Sequence, residues 1–320
     1  MGRPENEKNK LPYQVAIVEH LRDEQYRMIC GGVLIAPNKV LSAAHCFYTD
    51  NQKSPCGYSL WGPSYIKPLD KMKVAAGTIN KKPEENKFDN ETDYNETTTE
   101  KHFYNRTAFP RSSRRLLDFT EIQEINETFV PRNFNFPTRD ITVVFTAGPF
   151  YKRIPVPYAQ DYKTYEGLTC TASGYEGSDY IGWARVHWVK LKIISTAECS
   201  KLHSTNMKRF VCTLGHPEDL EEGEAGGPLV CKKTGHAGEG PLGILVGIIC
   251  GKRIFREGVG KNETIKSSVF YTRVSTYTGF IANPSRNNKA IIMIVPDFTL
   301  WISAFIFSTR LSGDNLCSII

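Results

Sequence analysis

The 320-residue sequence contains no Cys-x-x-Cys pair and no His-x-x-x-His array. It therefore lacks the ligand spacing of the common zinc sites, and no metal or other cofactor is expected. Helix signals are scarce, with only Ser195–Leu202 and Thr276–Ala282 reading as short helices, and no internal repeat is visible. Positive charge is in excess, with 40 Lys and Arg against 34 Asp and Glu, but the excess is spread over the chain. Its short runs, Lys71–Lys73 and Arg111–Arg115, form no basic helix or stripe with interleaved aromatics. A nucleic-acid partner is not expected. The start, Met1-Gly2-Arg3-Pro4-Glu5, carries no apolar run, so the expectation is a mature form or an incomplete gene model.

Nine cysteines and five Asn-x-Thr sequons are present. Without zinc spacing the cysteines read as disulfides, and their odd number leaves at least one outside any intramolecular pair. The sequons begin at Asn90, Asn95, Asn105, Asn126 and Asn262, four of them within 37 residues poor in apolar runs. That crowding predicts a glycosylated surface loop and a secreted, extracellular glycoprotein. Near the other end, Ala290 to Ser308 is mostly apolar and long enough to be a membrane candidate, but Pro296 and Asp297 interrupt it. Attachment to a membrane through 290–308 is kept as an alternative.

Short apolar runs separated by turn residues occupy most of the chain. Strands are expected at Tyr13–Val18, Gly32–Ile35, Val40–Ala44, Met72–Ala76, Ile141–Phe145, Leu168–Ala172, Val186–Ile194, Phe210–Thr213, Leu229–Cys231, Leu242–Ile249 and Val269–Val274. Between about 80 and 120 the sequence is polar and almost without period. Taken together, this texture is all-β.

Three separated motifs carry chemistry. The stretch Cys30-Gly-Gly-Val-Leu-Ile-Ala-Pro-Asn-Lys-Val-Leu-Ser-Ala-Ala-His45-Cys46 resembles the histidine motif of the trypsin-like serine proteases. The resemblance implies a Cys30–Cys46 bridge and His45 as general base. Asn135-Phe-Pro-Thr-Arg-Asp140-Ile-Thr-Val-Val144 resembles the family's aspartate motif, with Asp140 orienting the imidazole. The 95 residues between His45 and Asp140 are about twice the spacing of the family template. Insertions at 48–68 and at about 80–120 account for the excess. Glu221-Glu222-Gly223-Glu224-Ala225-Gly226-Gly227-Pro228-Leu229-Val230-Cys231 resembles the nucleophile loop, but the serine position holds Ala225. A methyl group cannot attack a carbonyl. In subtilisin, loss of the triad nucleophile costs roughly 10⁶-fold in turnover, about 8 kcal/mol of barrier.

Other positions depart from the family as well. Glu224 stands where the family has Asp, and the oxyanion-hole positions are Gly223 and Ala225. Asp219 falls at the acidic position of the specificity pocket, or is simply a turn acid. Val269 takes the place of a pocket-wall glycine and is expected to fill the pocket. Glu221 replaces a pocket cysteine. The resemblance also implies Cys170–Cys231 and Cys199–Cys212 bridges, and it leaves Cys56, Cys250 and Cys317 over. Cys250 falls where the family has a serine beside the aspartate, and it reads as a buried, inert thiol.

The fold implied by the resemblance is two packed six-stranded antiparallel β-barrels with a short C-terminal helix. The expected organisation is a peptidase domain over 1–285, with the glycan-rich insertion at about 80–120, and an extension over 286–320. Functionally, the expectation is a non-enzymatic homologue that binds a protein partner: an active protease, an inhibitor or a substrate. The alternatives are an active serine endopeptidase with another nucleophile, and a membrane-tethered surface glycoprotein.

Overall fold

The computed structural model describes residues 3–4, 11–21, 26–48, 69–77, 121–177, 184–216, 224–257, 264–286 and 289–292. Its strands are β1 (Arg3–Pro4), β2 (Gln14–His20), β3 (Tyr26–Ala36), β4 (Lys39–Ser42), β5 (Met72–Ala76), β6 (Glu121–Val130), β7 (Thr142–Thr146), β8 (Thr169–Gly177), β9 (Ala184–Ile193), β10 (Phe210–Gly215), β11 (Pro228–Cys231), β12 (Ile244–Glu257), β13 (Thr264–Arg273) and β14 (Lys289–Ile292). Among the described residues there are also two short α-helices, α1 (Thr196–His203) and α2 (Thr278–Ala282).

The strands close into two antiparallel barrels. In the N-terminal barrel the order is β6-β5-β2-β3-β4-β7, and β7 returns to β6. The C-terminal barrel runs β9-β10-β13-β12-β11-β8 and closes from β8 to β9. Closure removes the exposed edges that an open sheet would offer. Register shifts at Ile17/Val18, Leu34/Ala36, Ile125/Glu127, Leu229/Val230 and Ile249/Gly251 supply the bends that closure requires. Each barrel carries one further strand. The N-terminal β1 lies on β9 of the C-terminal barrel, and β14 lies on β6 of the N-terminal barrel.

Strand β2 shows why these apolar runs lack clean alternation. Val15 and Ile17 point into the core of their own barrel with Val33, Val40 and Leu41. Ala16 and Val18 point the other way, against Tyr175 and Val186 of the second barrel. Both faces are buried there, so Val15 through Val18 are all apolar. Each aliphatic side chain so buried contributes about 1.5–3 kcal/mol.

The structure differs from the sequence reading in a few elements. Strand β6 was not expected, and it carries Asn126. That sequon therefore lies in a strand and not in the glycan-rich loop, and its exposed asparagine sits at the Ile125/Glu127 bulge. Strands β12 and β13 run on as a two-stranded ribbon well past the expected apolar cores, to Glu257 and back to Thr264. Residues 290–292 of the apolar C-terminal stretch pair with Glu127–Phe129, so the extension begins inside the barrel's sheet. No helix among the described residues is long and apolar enough to cross a membrane. Residues 293–308, Cys56, Cys317, Asn90, Asn95, Asn105 and Asn262 lie outside the described residues.

Candidate functional site between the barrels

Three loop ends meet where the barrels face each other. The first follows β4, where the chain makes a single 3₁₀ turn, Ala44–Phe47, carrying His45. Cys46 in that turn is bonded to Cys30 on β3, which ties the turn to its own barrel. Cys170–Cys231 and Cys199–Cys212 form the other two bridges among the described residues.

The second loop end places Asp140 just before β7, fully buried. Its carboxylate accepts twice from one residue. Oδ1 accepts the His45 backbone N–H at 2.9 Å, and Oδ2 lies 2.7 Å from His45 Nδ1. A buried carboxylate held at this distance fixes the ring orientation and favours Nδ1–H, so that Nε2 is the unprotonated nitrogen. Sequence reasoning brought His45 and Asp140 together but missed the groups around them. The ring of Phe136 meets the imidazole edge-on at 5.4 Å, and Thr272 Oγ1 donates to the Asp140 carbonyl at 2.8 Å. Nothing in the local sequence marks either residue. Cys250 is a buried free thiol beside Asp140. Burial, and then the Asp140 carboxylate, push its pKa well above the ordinary thiol value. It is protonated and unreactive as a nucleophile.

The third loop end is the turn Glu224–Gly227 leading into β11. Glu224 is buried, and the carbonyl of Ala225 accepts the Gly31 N–H at 2.7 Å. Ser42 Oγ donates to the Gly31 carbonyl at 2.7 Å, while Gly226 N–H donates to Ile249 O and Ile249 N–H to Gly227 O, both at 2.8 Å. The turn is thus bonded to both barrels. Gly226 has φ of +82°, and a Cβ there would fall 2.4 Å from Gly31 O and from Ser42 Oγ. One at Gly227 would fall 2.3 Å from Ser173 O. Only glycine allows this close approach.

Two groups of cysteine and histidine, Cys30/His45/Cys46 and Cys199/His203/Cys212, are compact enough to hold a metal ion. In both, the sulfurs are joined in disulfides and offer no thiolate. Val269 is buried with Ile249, Leu229 and Tyr271 in the core of the second barrel. Gly223 and Asp219 lie outside the described residues.

The sequence pattern of the family described as Trypsin matches residues 1–100 and 112–281, most of the chain. The chain belongs to the trypsin-like serine protease family. Among curated members of this family it is similar to kallikrein 1-related peptidase b3 of Mus musculus, 27% identical over 237 residues, covering 70% of this chain and 72% of that one. Similarity to tonin of Rattus norvegicus extends further, at 24% identity over 293 residues and 88% of each chain. Kallikrein-2 of Homo sapiens is 24% identical over 237 residues, 72% of this chain and 74% of that one. The two closed barrels are the architecture of a trypsin-like protease, and the three loop ends meet between them.

Proposed function

We propose that this trypsin-like protein is a catalytically inactive homologue that acts by binding a protein, as cofactor, decoy or regulator of proteolysis. One observation carries the reading: the residue between Glu224 and Gly226 is Ala225. The His45–Asp140 pair can accept a proton, but no hydroxyl or thiol stands at that position to give one up. Cys250 does not replace it, since it lies buried on the Asp140 side with its thiol protonated. Gly223 and Ala225 would then be remnants of the oxyanion hole. The buried Val269 supports a closed specificity pocket, which leaves any acidic group at Asp219 without a basic side chain to meet.

Secretion into an oxidising compartment agrees with the three disulfides. Asn126, exposed on its bulge, is the sequon best placed among the described residues to carry a glycan. The partner is a protein of the kind this fold handles: an active protease, an inhibitor or a substrate.

A fluorophosphonate probe tests the reading. The purified protein is expected to stay unlabelled and to leave a panel of peptide substrates uncut. Labelling of the natural sequence, with peptide hydrolysis blocked by the same reagent, would restore the active endopeptidase.

A further inference from the structure

Around the buried ring of Tyr277, two distant parts of the chain bring Arg139 and Arg209 together. Arg139 comes from the loop before β7, Arg209 from the turn after α1 with Lys208 beside it in sequence, and Tyr277 itself opens α2. The Arg139 N–H donates to the Tyr277 hydroxyl, and the guanidinium groups of Arg139 and Arg209 both lie within electrostatic reach of that oxygen. The loop is shaped by two residues in the left-handed region, Asn133 at φ 61° and Arg139 at φ 62°. That curl folds the Arg139 side chain back so that Nη1 donates to the carbonyls of Arg132, at 2.9 Å, and Asn133, at 3.3 Å. One nitrogen is thereby anchored, and the remaining N–H groups keep a fixed direction.

On the other segment, Met207 and Phe210 are buried in the cluster with Cys199 and Cys212. The Arg209 carbonyl accepts the Arg273 N–H at 3.0 Å. Lys208 and Arg209, between those anchors, are exposed. Among the described residues, no ion pair involves Arg139, Lys208 or Arg209. The nearest carboxylate in sequence, Asp140, is buried against His45.

From this juxtaposition we infer that the surface of Arg139, Lys208 and Arg209 is a binding site for a sulfated polysaccharide. Guanidinium groups match the oxygens of a sulfate in pairs. Tyr277 is only 9% exposed, so its ring offers little apolar area to a folded protein and no open face on which a nucleic-acid base could stack. What it offers is charge on rigid supports, which a polyanion uses by releasing its condensed counterions. This inference goes beyond the proposed loss of catalysis and does not depend on the state of residue 225.

The test is calorimetric titration of the full chain with size-defined heparin oligosaccharides at a series of salt concentrations, starting at 0.15 M NaCl. Binding is expected. The R139Q/R209Q variant should bind at least tenfold more weakly, with a salt slope smaller by about two charges. A charge-matched control, K190Q/K192Q on β9, should stay within about twofold of the natural protein. If the loss of the Arg139 anchors unfolds the first variant, K208Q/R209Q removes two exposed charges and is expected to weaken binding several-fold. Four outcomes would overturn the site: no heparin binding by the natural protein, equal weakening in the control, equal affinity for desulfated heparin, or equal or tighter binding of duplex DNA.

Discussion

Nδ1 of His45 stands 2.7 Å from Oδ2 of Asp140 in a chain whose residue 225 offers only a methyl group. On the proposed reading, half of a proton-transfer device is kept in good order without the group it would serve. The turn holding Ala225 is bonded to Gly31 on one barrel and to Ile249 on the other.

Restoring the hydroxyl therefore has a definite expected result. Ala225→Ser should react with a fluorophosphonate probe where the natural protein does not. Adding Asp140→Asn to that variant should slow labelling by about 10⁴-fold, since the amide favours the wrong imidazole tautomer. Gel fluorescence against time gives both rates. Equal labelling with and without the Asp140 change would show that the pair plays no part.

Stability should fall in mild acid. Burial lowers the pKa of His203, helped by Arg253, and burial also lowers that of His236, helped by Lys163. In the unfolded chain both rings titrate near the ordinary value of about 6.5. Below that pH the unfolded state therefore binds more protons than the folded one, and stability is lost as pH falls from there toward the lowered folded values. Above it, the contribution is complete. Thermal unfolding followed by circular dichroism at pH 7.5 and 5.5 should show a drop. The drop should be smaller in a His203→Asn/His236→Asn variant, whatever that variant's absolute stability.

Val269 is buried with Leu229, Ile249 and Tyr271 in the core of the second barrel. Val269→Gly should lose about 2–4 kcal/mol in urea unfolding, through the cavity and the added backbone freedom. A neutral result would mean that the side chain faces open space, and the closed-pocket reading would fail.

Strand β14 lies along Glu127–Val130 of β6. A chain ending at Arg286 should show faster hydrogen exchange at those β6 amides that point away from β7. The amides of β2 and β3 should keep their protection. Unchanged exchange at Glu127–Val130 would show that β14 does not hold its place in solution.

Much of the fold was legible, for reasons visible in particular strands. Met72–Ala76 reads as a strand because its apolar run ends at a glycine, and β5 occupies those residues. Strand β6 is not legible because Asn126-Glu127-Thr128 has the pattern of a loop sequon. Its three residues instead straddle a bulge, with Asn126 outward and Thr128 buried. The β12–β13 ribbon escaped because Lys252, Arg253 and Arg256 break the apolar run, as outward-facing residues of a two-stranded ribbon do. The His45–Asp140 pair came from motifs. Phe136 and Thr272 reach it only through tertiary folding, as does the meeting of Arg139 with Arg209.

The outer strands β1 and β14 cross over. Strand β1, at the start, is bonded to the second barrel, while α2 and β14, near the finish, pack on the first: Ile281 and Tyr277 join its core, and Lys39 Nζ donates to the Ile281 carbonyl at 2.5 Å. Each barrel is thus buckled by a strand from the other half of the chain. A protease that cut the connector between Thr146 and Thr169 would leave two fragments still clasped together, indistinguishable from the intact molecule until the sample was denatured.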